Sequence, residues 1–116
     1  MRSLEIGRHR FTKVVVEDEA GAGGACHKYH VVNTKTGEPY ADVGFQNGPV
    51  GENGVNGCHQ EDLLAIVIDR LESFQAGSHS CRENALAITK IEEAMHWLNH
   101  RTKERQDRGV EGTSAQ

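Results

Sequence analysis

Arg101, Arg105 and Arg108 recur at i, i+4 and i+7 near the end of the 116-residue chain. On a helix, that spacing puts their guanidinium groups on one face. A guanidinium is a planar fork of donors that matches a phosphate edge, so several together could hold a small polyanion. The same spacing also reads as a solvated helix end. There, cations complement the negative pole of the helix dipole, and Glu104 and Asp107 stand near enough to pair with them. A phosphate at this end would face that negative pole, which is why more than one arginine would be needed.

Phe74 and Asn84 make a second pair. An aromatic ring can stack on a nucleobase, and an asparagine amide can match the N6/N7 edge of adenine. The plain alternative is that Phe74 closes a core and Asn84 lies at the surface. Cysteine and histidine offer less. His96 and His100 are spaced i, i+4, and Cys26, His27 and His30, Cys58 and His59, and His79 and Cys81 are close in sequence. No CxxC or HExxH occurs, so no structural or catalytic metal and no cofactor are expected. Nucleophilic catalysis needs an activated side chain beside a base. No nucleophile elbow or triad order is present, and Glu92 and Glu93 read as solvated helix residues. The chain is therefore expected to bind and not to catalyse.

These residues need elements to carry them. Phe11 and Val14–Val16, then Tyr29, Val31 and Val32, then Tyr40, Val43 and Phe45 mark strands, with a further short strand near Leu4 and Ile6. Residues 21–24 read as a flexible turn and Asn33–Gly37 as a hairpin turn. The four glycines and one proline of NGPVGENGVNGC (47–58) exclude regular structure there. A helix over 59–76 follows. Leu64, Ile68 and Leu71 form one stripe and Leu63, Val67 and Phe74 another, wider together than one partner needs. Gly77 reads as its C-terminal stop. A second helix runs from about Arg82 to Arg108, capped by Ser80 with Glu83 and stopped by Gly109. Leu86, Ile88, Ile91, Met95 and Leu98 give it an apolar face. Residues 110–116 are expected to be mobile unless something holds them. The expectation is a single α+β domain over 1–116. A β-sheet part (1–46), a Gly-rich loop (47–58), an antiparallel helical hairpin (59–108) and a tail (109–116) compose it, with dimerisation through the helices.

Composition narrows the partners. A formal net charge of −4 disfavours duplex nucleic acid. Three cysteines are an odd number, which argues against a disulfide framework. The opening MRSLEIGRHR lacks an apolar leader core, and the longest apolar run, Leu63–Ile68, is too short to cross a bilayer. A reducing cytoplasm is the expected location. Geometry adds one more inference. From Asn84 to Arg101 is ~25 Å of helix at 1.5 Å per residue, beyond the reach of one small nucleotide. If both sets of residues bind it, they come from different subunits. An antiparallel dimer with two equivalent sites would join them.

The stretch from Phe45 to Thr113, FQNGPVGENGVNGCHQEDLLAIVIDRLESFQAGSHSCRENALAITKIEEAMHWLNHRTKERQDRGVEGT, resembles the phage-encoded Thoeris anti-defence sponges of the first type. Its helical part, ALAITKIEEAMHWLNH, is also similar to the sibling sponge used against CBASS. The resemblance implies a protein of the host bacterial cytoplasm that sequesters, without cleaving, a cyclic ADP-ribose isomer such as glycocyclic ADP-ribose, and so keeps the Thoeris effector silent. It implies a small antiparallel sheet with a C-terminal helical hairpin, assembled as a homodimer or a higher oligomer such as a hexamer. It assigns adenine binding to Phe74 and Asn84 and phosphate binding to Arg101 and Arg105, with Arg108 and the tail to Thr113 beside them. For some members it also implies a second, separate site for cyclic oligonucleotides. A sponge for cyclic di- or trinucleotides, an enzyme that cleaves the signal, and a helical adaptor without a small ligand are the rival readings.

Overall fold

The computed structural model describes residues 1–6 and 11–113. It divides into two compact units, Met1–Cys58 and His59–Gln116.

The first unit is built on a four-stranded antiparallel meander in the order β1 (Arg2–Ser3), β2 (Thr12–Val16), β3 (Lys28–Asn33), β4 (Pro39–Gly44). β-branched residues fill β2 and the middle of β3, where a half-buried pleated surface suits them. Val16 lies opposite Tyr29, and Tyr29 opposite Val43. These residues share one face of the sheet. Val16 is the buried apolar side chain of that face, and the Tyr29 ring meets Phe45 edge-on at 5.6 Å between centroids. A bulge at Val31/Val32 interrupts the β3–β4 register and leaves Tyr40 without a partner across the ladder. The expected turn at 33–37 forms because Asn33 Oδ1 accepts from the amides of Lys35 (2.9 Å) and Thr36 (3.0 Å). The first strand is shorter than expected. Leu4 donates to Val14 O at 2.9 Å, but Ile6 lies outside the strand and is exposed.

A segment expected to be a flexible turn and one expected to lack regular structure both contain a short helical turn. Residues 22–24 make a 3-10 turn, Ala22–Gly24, and His27 Nε2 contacts Ala22 O at 3.0 Å. In the Gly-rich segment a single helical turn, α1 (Val50–Asn53), interrupts the loop. Side-chain amides stand in for backbone partners there. Asn56 Oδ1 accepts from Asn47 N and Asn56 Nδ2 donates to Asn47 O, both at 2.8 Å. Gln46 Nε2 donates to Gly54 O at 2.8 Å. Gly57 lets this loop close onto the sheet, since a Cβ there would lie 2.4 Å from the Phe45 carbonyl carbon. Composition hid α1 because glycine and proline frequencies do not register side-chain amides closing a loop.

The second unit is a helical hairpin, α2 (Gln60–Gln75) and α3 (Arg82–Asp107), packed on each other across a six-residue link. The half-buried residues of α2, including Leu64, Ile68 and Leu71, face Asn84, Ile88, Ile91, Met95, Leu98 and Thr102 of α3, with Arg105 buried at the far end. These α3 positions alternate steps of four and three, the repeat of a two-helix seam. Leu86 is off that repeat and 46 % exposed, unlike the other apolar residues assigned to the α3 face. The helix ends differ from expectation in detail. Cys81, not Ser80, caps α3, with its sulfur accepting from Asn84 N at 3.4 Å. Gly77 is not in the left-handed region, and α2 ends on Ala76 in ordinary helical geometry. Gly109 is left-handed, at φ +73°. There Val110 N donates to Arg105 O and Gly109 N to Gln106 O, each at 3.0 Å, the Schellman pattern that stops a helix.

No helix among the described residues is long and apolar enough to cross a membrane.

Candidate functional site

At the turn end of the hairpin, Phe74 and Asn84 come together through His79. The Phe74 and His79 ring centroids are 6.1 Å apart, and Asn84 Nδ2 donates to His79 O at 3.2 Å. Phe74 ends the outer stripe of α2, and Asn84 opens the seam of α3, so the short link forces them to one end. Arg70, one turn before Phe74, lays its guanidinium carbon 4.9 Å from the ring centroid. The ring is thus already used as a platform for a flat cationic group. A flat nucleobase would meet the same face or the opposite one. Arg70 is a neighbour that sequence reasoning did not single out, and His79 was singled out only as a candidate metal ligand. The i, i+4 spacing of Arg70 and Phe74 was a usable signal, whereas the place of His79 depends on how the link folds.

The arginines lie at the opposite end of α3. They share a general direction but not an environment, because i+4 and i+3 steps rotate about 40° and 60° around the axis. Arg101 is exposed and, among the described residues, enters no ion pair. Arg108 is exposed and is the C-cap residue of α3. Arg105 continues the seam and is 8 % exposed. Its Nε donates to Glu111 Oε2 at 3.2 Å, and its Nη2 donates to Val110 O at 3.0 Å and Thr113 O at 3.1 Å. The tail is therefore held as far as Thr113; residues 114–116 of the expected mobile segment lie outside the described residues. Glu111 was not anticipated as the partner of Arg105, because a carboxylate six residues on, beyond a helix stop, follows no helical spacing.

Within one chain, then, Phe74 and Asn84 form one cluster and the arginines another, at opposite ends of a long helix. The exposed side of the hairpin links them. At 100° per residue, Val67 and Phe74 of α2 and Leu86, Trp97 and Arg101 of α3 fall on the same flank of the antiparallel pair. Val67 is 43 % exposed and Trp97 66 %. Among the described residues of α2 and α3 no apolar side chain is buried. The hairpin's own seam leaves this flank uncovered.

The histidines have specific occupations. His96 and His100 both meet the Trp97 ring edge-on, at 5.5 and 5.9 Å between centroids. His30, on the sheet face opposite Val16, bridges Asp42 through Nδ1 and Glu17 through Nε2. The Asp42 hydrogen bond is the leading cause that raises the His30 pKa above its ordinary 6.5, with both carboxylate charges adding to it against partial desolvation. Asp18 accepts from the amides of His27 and Lys28, and the His27 amide is the main cause that lowers its pKa. Among the described residues no group of three or more His, Cys, Asp or Glu is arranged to hold a metal ion.

The second unit is thus a helical hairpin with an aromatic–amide end, an arginine end and an exposed flank between them. Residues 38–103 match the family described as the Acb2/Tad1 hairpin domain, and the chain belongs to that family. It is 63 % identical over 73 residues to "Thoeris anti-defense 1" of Bacillus phage SBSphiJ7, covering 63 % of this chain and 51 % of the relative. The chain thus spans about half the length of that curated relative.

Proposed function

We propose that this chain is a phage anti-defence protein that binds a cyclic ADP-ribose isomer and sequesters it intact in the host cytoplasm, which keeps a Thoeris effector inactive. Membership of the Acb2/Tad1 hairpin family and the similarity to a protein named for Thoeris anti-defence support the biological setting. The observation that carries the ligand is the division of the hairpin. Phe74 and Asn84, suited to adenine, stand at one end, and the arginines suited to a diphosphate stand ~25 Å away at the other. A two-fold antiparallel dimer through the uncovered flank would bring each end against its complement. The site would then be completed by the partner chain, twice per dimer.

In this reading Phe74 stacks the base, Asn84 reads its edge, and Arg101, Arg105 and Arg108 neutralise the phosphates. In this reading the ligand leaves as it entered. Inhibition is then mass action. Nanomolar retention needs about −12 kcal/mol, within reach of one stacked base and several charge-assisted hydrogen bonds in a pocket closed by two chains.

The deciding experiment is a calorimetric titration with cyclic ADP-ribose isomers, followed by denaturation of the complex and chemical identification of what is released. Tight binding with intact ligand recovered supports sequestration. A cleaved product would make the protein an enzyme. No binding of any isomer would move the assignment to cyclic di- or trinucleotides, or to an adaptor without a small ligand.

A further inference from the structure

Arg105 already holds an anion. Its buried guanidinium donates through Nε to the Glu111 carboxylate and through Nη2 to the carbonyls of Val110 and Thr113. Gly109 turns the chain back at the end of α3 so that this can happen, and Thr113 closes the turn by donating its amide to Val110 O at 3.2 Å. The result is a four-residue clasp with a carboxylate in it. The Glu111 side chain is 39 % exposed, whereas that of Arg105 is 10 % exposed, so the carboxylate is the solvent-facing member of the pair.

We propose that Glu111 sets the anion affinity of the arginine end: its carboxylate occupies Arg105 until a phosphate of the ligand replaces it. This rests on the phosphate-binding reading given above. Carboxylate and phosphate oxygens are both acceptors and both negative. They cannot share one guanidinium edge without repelling each other at contact distance. Binding at Arg105 is therefore an exchange of one anion for another, and it opens the clasp. Arg101, one turn earlier and without an ion pair among the described residues, offers the first contact. The exchange discriminates by charge. A diphosphate brings two negative groups to displace one carboxylate, while a small carboxylic acid offers nothing that Glu111 does not. Intracellular carboxylates would thus be poor competitors for this end.

The test compares the full chain with its Glu111→Gln variant. Gln retains a carbonyl oxygen for the Arg105 Nε and removes the charge. Each protein is titrated with inorganic pyrophosphate and with cyclic ADP-ribose isomers, and hydrogen exchange of the Thr113 amide is followed with and without anion. The variant should bind about two- to fivefold more tightly, the range expected for relieving one partly exposed ion pair. Saturating anion should also speed Thr113 exchange in the unsubstituted chain. Equal or weaker binding by the variant, or Thr113 exchange that anion leaves unchanged, would overturn the proposal and make Glu111 a brace that orients Arg105. If the isomers do not bind but pyrophosphate does, the proposed ligand is wrong, and the pyrophosphate arm alone decides the role of Glu111. A chain that binds neither sinks the exchange as well.

Discussion

Single side chains at the arginine end of α3 differ in what substitution would reveal. Arg101 is exposed and makes no ion pair among the described residues, so under the proposed function Arg101→Ala would remove a ligand contact and little else. Loss of a charge-assisted hydrogen bond costs about 1.5–3 kcal/mol, so affinity for the cyclic ADP-ribose isomer should fall roughly 10- to 100-fold with the melting temperature unchanged. Calorimetry beside a thermal melt checks both halves, and unchanged affinity would remove Arg101 from the site. Arg105→Ala is less clean, because it also frees Val110, Glu111 and Thr113. In the sheet unit, His30 should give the protein a pH dependence of its own. Its pKa is raised by Asp42 and Glu17, so protonation is favoured in the folded state. The stability it contributes is fully present below the unfolded pKa of about 6.5 and is lost as pH rises through the folded value. His30→Gln should abolish that slope. A titration of the His30 imidazole by NMR with a midpoint at or below 6.5 would contradict the assignment.

At the scale of elements, the helix stop after α3 bears most weight. Gly109 at φ +73° lets Val110 donate to Arg105 O and brings the tail back over the Arg105 side chain. A Cβ in that left-handed conformation costs about 1–2 kcal/mol. Gly109→Ala should therefore lower stability by about that amount and loosen the clasp, read as faster exchange of the Val110 and Thr113 amides. A Gly109→Asn variant should recover part of the loss, since Asn tolerates that region better. Gly57 poses a different constraint. Its Cβ would meet the Phe45 carbonyl at 2.4–2.5 Å, so even alanine would push the loop off the sheet.

For the whole molecule, the exposed apolar flank of the hairpin sets the expectation. The helical unit is small, and about 60 residues bury only about 60 % of the surface that the unfolded chain exposes. Its seam leaves Ile66 64 %, Val67 43 % and Trp97 66 % exposed. In the proposed antiparallel dimer that flank is covered by a second copy. Val67→Glu should then leave the isolated fold intact but convert a dimer to a monomer in sedimentation. The same variant should lose isomer binding, because the halves of each site would no longer meet. A Val67→Glu chain that is monomeric yet binds normally would show that one chain holds the whole site. An unsubstituted chain that is monomeric at all concentrations would remove the dimer.

Local residue patterns alone determined the α+β order, the positions of the main strands and the existence of the two helices. The valine clusters of β2 and β3 and the steps of three and four in α2 and α3 are local properties, legible without the rest of the fold. The separation of Phe74 and Asn84 from the arginines was legible for the same reason, since helix rise converts residue number into distance. Cys81 as the cap, α1 within the glycines and the exposure of Leu86 were not legible. Each depends on which atom happens to lie nearest once the chain has turned. The environment of Arg105 is the clearest case. Its helical spacing groups it with Arg101 and Arg108, yet a rotation of about 40° carries it from the surface to the seam. Only the fold back at Gly109 brings Glu111, Val110 and Thr113 to its guanidinium. Sequence spacing reports which face a side chain starts from. Packing and chain reversal decide what it finally touches, because contacts across a reversal have no period to read.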